Sequence, residues 1–174
     1  MAEQKIVFLR LLKEEDLEWA RSLHNDPDVI CMLTDPHLIS EEEQIKWFAS
    51  LQKSKSMLRM IVEWKGERVG LVRIDQLDYY NQSVRVGLDI HKDFRGQGLS
   101  KPVYKELFKH YFEDLGFHRV WLLVAAYNTK AKRIYTELGF KEEGIQREAL
   151  LKNGTYHNYV VMGLLREEYV QLYC

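Results

Sequence analysis

Residues 84–108 read Val-Arg-Val-Gly-Leu-Asp-Ile-His-Lys-Asp-Phe-Arg-Gly-Gln-Gly-Leu-Ser-Lys-Pro-Val-Tyr-Lys-Glu-Leu-Phe. The hydrophobic period changes inside this stretch. Val84, Val86, Leu88 and Ile90 alternate with Arg85, Gly87, Asp89 and His91, the period of a half-buried strand. From about Gly98 the spacing turns helical, with Val103, Leu107 and Tyr111 in one row and Tyr104, Phe108 and Phe112 in the next. Pro102 falls in the first helical turn, where no intrahelical N–H bond is lost. Residues 118–125, His-Arg-Val-Trp-Leu-Leu-Val-Ala, follow as a near-continuous apolar strand. Strand, helix and strand in that order form a crossover, which predicts two parallel, adjacent strands.

Working outward, residues 5–12 read as a strand and residues 13–24 as an amphipathic helix with Glu14, Glu15 and Asp16 in its first turn. Asp26-Pro27-Asp28 breaks that helix, and residues 29–39 look irregular, with a second turn at Asp35-Pro36. Ser40-Glu41-Glu42-Glu43 is a capping box that opens a helix to about residue 53. Residues 57–64 and 68–74 flank Lys65-Gly66 as a hairpin, and Tyr79–Gln82 turns the chain into the strand over 83–91. Beyond the crossover come a helix over 128–138 closed by Gly139, a strand from Phe140 to about Arg147, and a hairpin turning at Asn153-Gly154 into residues 156–164. The order β-α-α-β-β-β-α-β-α-β-β predicts a single mixed α/β domain over residues 5–166, with one central sheet flanked by helices. No internal repeat or linker interrupts it.

Composition narrows the function classes. The 25 basic and 26 acidic side chains of this 174-residue chain leave a net charge of −1, which supplies no general attraction for nucleic acid. A hydrophobic share of 46% is too high for a disordered chain. Cys31 and Cys174 make no disulfide framework and read as reduced thiols. The first residues lack a signal pattern, and no apolar run approaches the roughly 20 residues of a membrane span. The expectation is a soluble cytoplasmic protein with no nucleic-acid or membrane partner. Its histidines and cysteines have no metal-ligand spacing, so no metal is expected.

Chemistry concentrates at Asp93-Phe-Arg-Gly-Gln-Gly-Leu-Ser100. Gly96 and Gly98 leave backbone N–H groups unshielded, and the helix that follows adds unpaired N–H groups and partial positive charge. Arg95 supplies a cation. Together these make an anion site suited to a diphosphate. The segment is not a P-loop, which needs Gly-x4-Gly-Lys-Ser/Thr. It is not the dinucleotide fingerprint either, because Lys101 stands where the third glycine belongs. A ligand-free tight turn would use the same glycines, so a second signal is needed.

That signal is Asn128-x-x-Ala131-x-x-x-Tyr135-x-x-x-Gly139-Phe140. With Arg95-x-x-Gly98-x-Ser100 before it, the chain resembles the GCN5-related N-acetyltransferases (GNAT). Ser100 stands where that family usually has Gly or Ala. The order of elements agrees over nearly the whole chain. Gly144-x-x-Arg147-Glu148 and Asn153-Gly154-x-Tyr156 look most like the branch holding ribosomal-protein alanine and spermidine acetyltransferases, with acetyltransferases of nucleotide-linked amino sugars laid out similarly.

The resemblance implies acetyl-CoA as cosubstrate and direct attack of a primary amine through a tetrahedral intermediate. The acceptor would be a protein N-terminus, an amino sugar or a small amine. It implies backbone contacts to the cosubstrate from Leu88, Asp89 and Ile90 and from Arg95, Gly96, Gln97, Gly98, Leu99 and Ser100. Asn128 would hold the pantetheine arm or cap its helix. Lys130, Lys132 and Arg133 are candidates for the CoA phosphates, against the ordinary fate of such residues as a solvated face. Tyr135 is the expected general acid and Asp89 the first candidate base, ahead of Glu63, Glu148 and His91, with a water chain in place of the carboxylates as the alternative. The acceptor pocket is expected from residues 25–40, the turn at 78–82 and the Asn153-Gly154 hairpin, with Trp47, Tyr79, Tyr80 and Tyr156 as candidate aromatics. No dense acidic cluster of the kind a polyamine needs is evident. A homodimer, a different acyl group and a non-catalytic acyl-CoA-binding module are the remaining alternatives.

Overall fold

The computed structural model describes residues 5–30 and 37–174. Seven strands form one sheet: β1 (Phe8–Leu11), β2 (Leu58–Trp64), β3 (Glu67–Asp78), β4 (Ser83–Ile90), β5 (Arg119–Ala125), β6 (Lys141–Lys152) and β7 (Thr155–Leu165). They lie in the order β1-β2-β3-β4-β5-β7-β6. The pair β4–β5 is parallel and the other pairs are antiparallel. Helices α1 (Leu17–Asn25), α2 (Pro27–Ile30), α3 (Glu41–Lys53), α4 (Ser100–Phe108), α5 (Thr129–Glu137) and α6 (Arg166–Tyr173) complete the chain. The mixed α/β architecture is the one the sequence pattern predicts, with α4 as the crossover.

Local chemistry sets the boundaries. Ser40 Oγ accepts from the Glu43 N–H at 3.2 Å while the Glu43 carboxylate accepts from the Ser40 N–H at 2.8 Å, so the capping box closes in both directions. Asn153 and Gly154 have φ of 49° and 74°, the left-handed pair of a tight hairpin turn. Three features differ from the sequence reading. Pro27 ends α1 but starts α2, because its fixed φ suits a first helical position. Helix α4 passes at Lys109 into a π-helical turn over Lys109–Asp114 that keeps Tyr111 and Phe112 in the core. Helix α6 was not anticipated; it stacks Tyr169 on Phe112 with ring centroids 5.0 Å apart. Cys31 and the expected Asp35-Pro36 turn lie outside the described residues.

The sheet has two unlike faces. Val62, Val72, Ile74, Val84 and Val86 bury against Val103, Tyr104, Leu107 and Phe108 of α4. On the other face a smaller cluster joins Leu12 and Ile61 to Ala20 of α1 and Leu51 of α3. Toward β4 that second face turns polar, with Arg59, Arg73, Asp75, Arg85 and Asp89 on successive strands. Arg59 and Arg73 stand directly opposite each other, a repulsive arrangement on its own. Asp75 answers it, 3.0 Å from Arg59 and 3.2 Å from Arg85, and Asp89 sits 2.9 Å from Arg73.

Strands β4 and β5 pair over three positions, Ser83–Arg119, Val84–Val120 and Arg85–Trp121, and then part. Beyond Arg85, β4 is bonded by β3 alone and β5 by β7 alone. A wedge therefore opens beside Leu88, Asp89 and Ile90.

Helix α1 is fastened where it enters this arrangement. Asp16, fully buried, receives Arg10 Nη1 at 2.6 Å and Nη2 at 2.9 Å, the Lys13 N–H at 2.9 Å and Arg68 at 3.3 Å. Burial alone would raise its pKa, but these donors outweigh it and hold it at about 2. Asp16 therefore stabilises the fold above its unfolded pKa of about 3.9, and that stability is lost as pH falls from there through about 2. Asp16→Asn is expected to cost about 2 kcal/mol at pH 7. In urea unfolding at a series of pH values, the gap between the two proteins should narrow below pH 4.

Candidate active site

Two cavities flank the end of β4. One lies where β4, the following loop, α4 and α5 meet, with a volume of about 410 Å³. Leu88, Asp89, Ile90, Arg95, Gly96, Gly98, Leu99 and Ser100 line it on one side, and Asn128, Lys130 and Tyr135 on the other. The loop and the second motif, some thirty residues apart in sequence, thus share one cleft. Gly96 and Gly98 have φ of 75° and 73°, a region that costs other residues about 1–2 kcal/mol. Among the described residues, no backbone hydrogen bond uses the N–H groups of residues 96–101. These bare donors at the start of α4 suit the diphosphate of CoA.

The side chains around the loop are mostly committed. Arg95 donates from Nε to the Ile90 carbonyl at 3.1 Å and from Nη1 to Asp28 at 3.0 Å, tying α2 to the loop. Asn128 Oδ1 accepts from the Ala131 N–H at 3.1 Å and so caps α5. Gln97 does not line the cleft: its amide bonds back to the Asp93 carbonyl and its own carbonyl accepts from Lys5. Arg133 is also outside it, exposed and paired with Glu137 at 2.9 Å, while Lys132 pairs with Glu142 at 2.8 Å.

Tyr135 is enclosed at the inner end. Burial raises its pKa, partly offset by the Tyr104 hydroxyl and by Arg73. Tyr104 is itself fully buried, with its ring edge-on to Tyr135 at 5.5 Å between centroids. Burial pushes its hydroxyl well above the ordinary tyrosine range.

The second cavity, about 450 Å³, lies between the polar sheet face and helices α1 to α3. Leu23, Trp47 and Leu71 form apolar walls, and Arg59, Arg73 and Asp89 a charged floor. Among the described residues, Asp89 is the one carboxylate that lines both cavities. Arg73 forms an ion pair with it, Nε standing 2.9 Å from Oδ2, and Nη2 donates to Oδ1 at 3.4 Å. Gly87 leaves room for this guanidinium: a Cβ there would stand 3.0 Å from it and press it aside by a few tenths of an ångström. Burial opposes the charge on Arg73, but Asp89 and Asp75 more than compensate and raise its pKa.

The other sequence candidates fall elsewhere. Glu63 is bound by Arg10 at 2.7 Å, Glu148 is exposed on β6, and His91 accepts from the Asp93 N–H and stacks near Trp19. Of the expected aromatics only Trp47 lines the second cavity, while Tyr79, Tyr80 and Tyr156 are exposed. Residues 29, 37 and 39 contribute to it, but the turn at 78–82 and the Asn153-Gly154 hairpin do not. Sequence reasoning missed His24, Arg59 and Arg73. The two arginines occupy the polar phase of alternating strands, which reads as solvent-facing in a sequence.

Comparison with known proteins gives a consistent set of matches. Residues 7–141 match the family model described as the acetyltransferase (GNAT) domain. Spermidine N(1)-acetyltransferase of Escherichia coli (strain K12) is 27% identical over 164 residues, 94% of this chain and 88% of that protein. The putative ribosomal N-acetyltransferase YdaF of Bacillus subtilis (strain 168) is 32% identical over 106 residues, 61% of this chain and 58% of that protein. The crystal structure of spermidine N-acetyltransferase from Vibrio cholerae in complex with CoA and spermine has a TM-score of 0.89 at 26% identity, covering 94% of this chain and 98% of that one. No helix among the described residues is long and apolar enough to cross a membrane.

Gly98→Ala tests the loop. The strain of about 1 kcal/mol or more at φ 73° either remains or turns the bare N–H groups aside. CoA affinity by calorimetry is expected to fall about fivefold, with a fall in melting temperature of no more than about 4 °C.

Proposed function

This chain belongs to the GNAT acetyltransferase family and is an acetyl-CoA-dependent N-acetyltransferase; on that premise we propose how its residues divide the reaction. The observation that carries the proposal is the meeting of two cavities at one carboxylate, Asp89. Acetyl-CoA enters by the loop cleft, with its diphosphate on the N–H groups of residues 96–101. The amine enters from the cavity beneath α1 and α3.

An alkyl ammonium has a pKa near ~10 and must lose a proton before it attacks. Asp89 accepts a hydrogen bond from it. Arg73 keeps that carboxylate oriented and leaves lone pairs open, since a carboxylate has about four acceptor sites. The proton leaves through water at the open side of the cavity. The unpaired stretch of β4 from Leu88 to Ile90 offers backbone N–H donors to the carbonyl oxygen as it gains charge. Tyr135 then gives its proton to the departing thiolate. Burial keeps this hydroxyl protonated at neutral pH, as a general acid must be. Asn128, with Oδ1 spent on the cap, has its Nδ2 left for the pantetheine arm. Lys130, which lines the cleft, is placed for the CoA phosphates. The catalytic unit is taken as residues 5–166.

Tyr135→Phe is expected to lower kcat about 100-fold, with the KM for acetyl-CoA changed less than about threefold. Unchanged turnover would remove Tyr135 from this role. Because burial raises the pKa of Tyr135, its deprotonation should not depress kcat below about pH 10. A pH–rate profile checks this.

A further inference from the structure

Helix α4 carries one buried polar group that the reaction as described above does not use. Tyr104 is 1% exposed. Its ring stands edge-on to Tyr135 and Phe140, at 5.5 and 5.9 Å between centroids, and tilted against Phe108. Its hydroxyl completes no hydrogen bond among the described residues. A phenylalanine would keep every ring contact and remove that orphan. A buried donor without a partner costs stability, so core packing does not account for the hydroxyl.

Its position does. Tyr104 from α4 and Tyr135 from α5 line the same cleft. The groups that act electrically on the Tyr104 hydroxyl are Tyr135, Arg73 and Asp89, and the last two are paired with each other. The bond between the two tyrosines is not completed in this structure, but its sense is set. Tyr104 lowers the pKa of Tyr135, as a donor does, and Tyr135 raises that of Tyr104, as an acceptor does.

The acyl-transfer step supplies what the bond lacks. The C–S bond of the tetrahedral intermediate breaks with its electron pair on sulfur. The Tyr135 proton forms the S–H bond, and the Tyr135 oxygen is a phenolate until it regains the proton that the attacking nitrogen sheds. That charge develops in a buried place, where an unpaired charge is costly. A phenolate is a much stronger acceptor than a neutral hydroxyl. An unspent donor beside it therefore gains its partner only as the charge appears, and an interaction stronger in the transition state than in the ground state accelerates the step.

We infer that Tyr104 is a positioning residue for acyl transfer: its buried hydroxyl donates to the Tyr135 oxygen as that oxygen gives its proton to the leaving thiolate. This rests on the assignment of Tyr135 as general acid.

The test is thiol release from acetyl-CoA by the full chain, with the best acceptor among spermidine, glucosamine, 2-phenylethylamine and a peptide with N-terminal alanine. Tyr104→Phe is expected to lower kcat about tenfold. The KM for acetyl-CoA should change less than about twofold, because the bond is made in the transition state and not in binding. The melting temperature should equal or exceed that of the unsubstituted protein, since an orphan donor is removed. In a Tyr135→Phe background the same substitution should change kcat less than about twofold, because no phenolate forms for it to meet. An equal loss of kcat in both backgrounds, no loss in either, or a melting temperature lowered by more than about 3 °C overturns this inference. If Tyr135→Phe alone is slow in the same experiment, the general acid stands without its partner. Unchanged turnover in Tyr135→Phe, or no thiol release with any of the four acceptors, overturns both assignments together.

Discussion

Everything in the site follows from the parting of β4 and β5 after three residue pairs. A sheet normally satisfies each backbone N–H and C=O across its ladder, and an unpaired edge inside a protein is costly. Here the edge of β4 beyond Arg85 is left without its neighbour. The same wedge admits a ligand that carries amide and carbonyl groups of its own. The helices at its mouth keep the strands apart: α4 starts there on the glycine loop, and α5 places Asn128, Ala131 and Tyr135 against the opened edge. The crossover that makes β4 and β5 parallel also sets the N-terminus of α4 beside the end of β4. The bare N–H groups, the unpaired edge of β4 and the position of Tyr135, the proposed general acid, thus share one geometric origin.

Much of this was legible in the sequence. The alternation from Val84 to Ile90, the helical rows through Tyr104 and Tyr111, the capping box at Ser40 and the Asn153-Gly154 turn all report local physics, and local physics settled those elements. The loop cleft was legible for a related reason. Its glycines, Asn128 and Tyr135 are needed by type at fixed spacings, and most of the residues expected there line it.

The acceptor side was not legible. Arg59 and Arg73 sit at the polar phase of strands that would normally face water, and only the arrival of α1 and α3 over that face makes them part of a cavity floor. Tyr79, Tyr80 and Tyr156 looked suited to a groove by residue type, but their positions in turns and on the outer hairpin leave them in solvent. Helix α6 was missed because its eight residues carry little apolar periodicity. What holds it is tertiary, the stacking of Tyr169 on Phe112 and the bond from the Tyr173 hydroxyl to the Leu138 carbonyl at 3.1 Å. The π-helical turn at Lys109–Asp114 escaped for a similar reason, since the aromatic rows continue through it on the same side.

The charged floor needs a reason of its own. Paired charges withdrawn from water seldom add net stability, and apolar residues of similar volume often serve a fold better. Arg59, Asp75, Arg85, Arg73 and Asp89 nevertheless span three strands on one face, with Arg73 packed over Gly87 and paired to Asp89. The pairing does what an apolar floor cannot. It holds one carboxylate at the junction of the two cavities. Removing Arg73 would leave Asp89 partly buried and unpaired, and removing Asp75 would leave Arg59 and Arg73 facing each other across β2 and β3. The set therefore functions as a unit, in which each charge constrains the next.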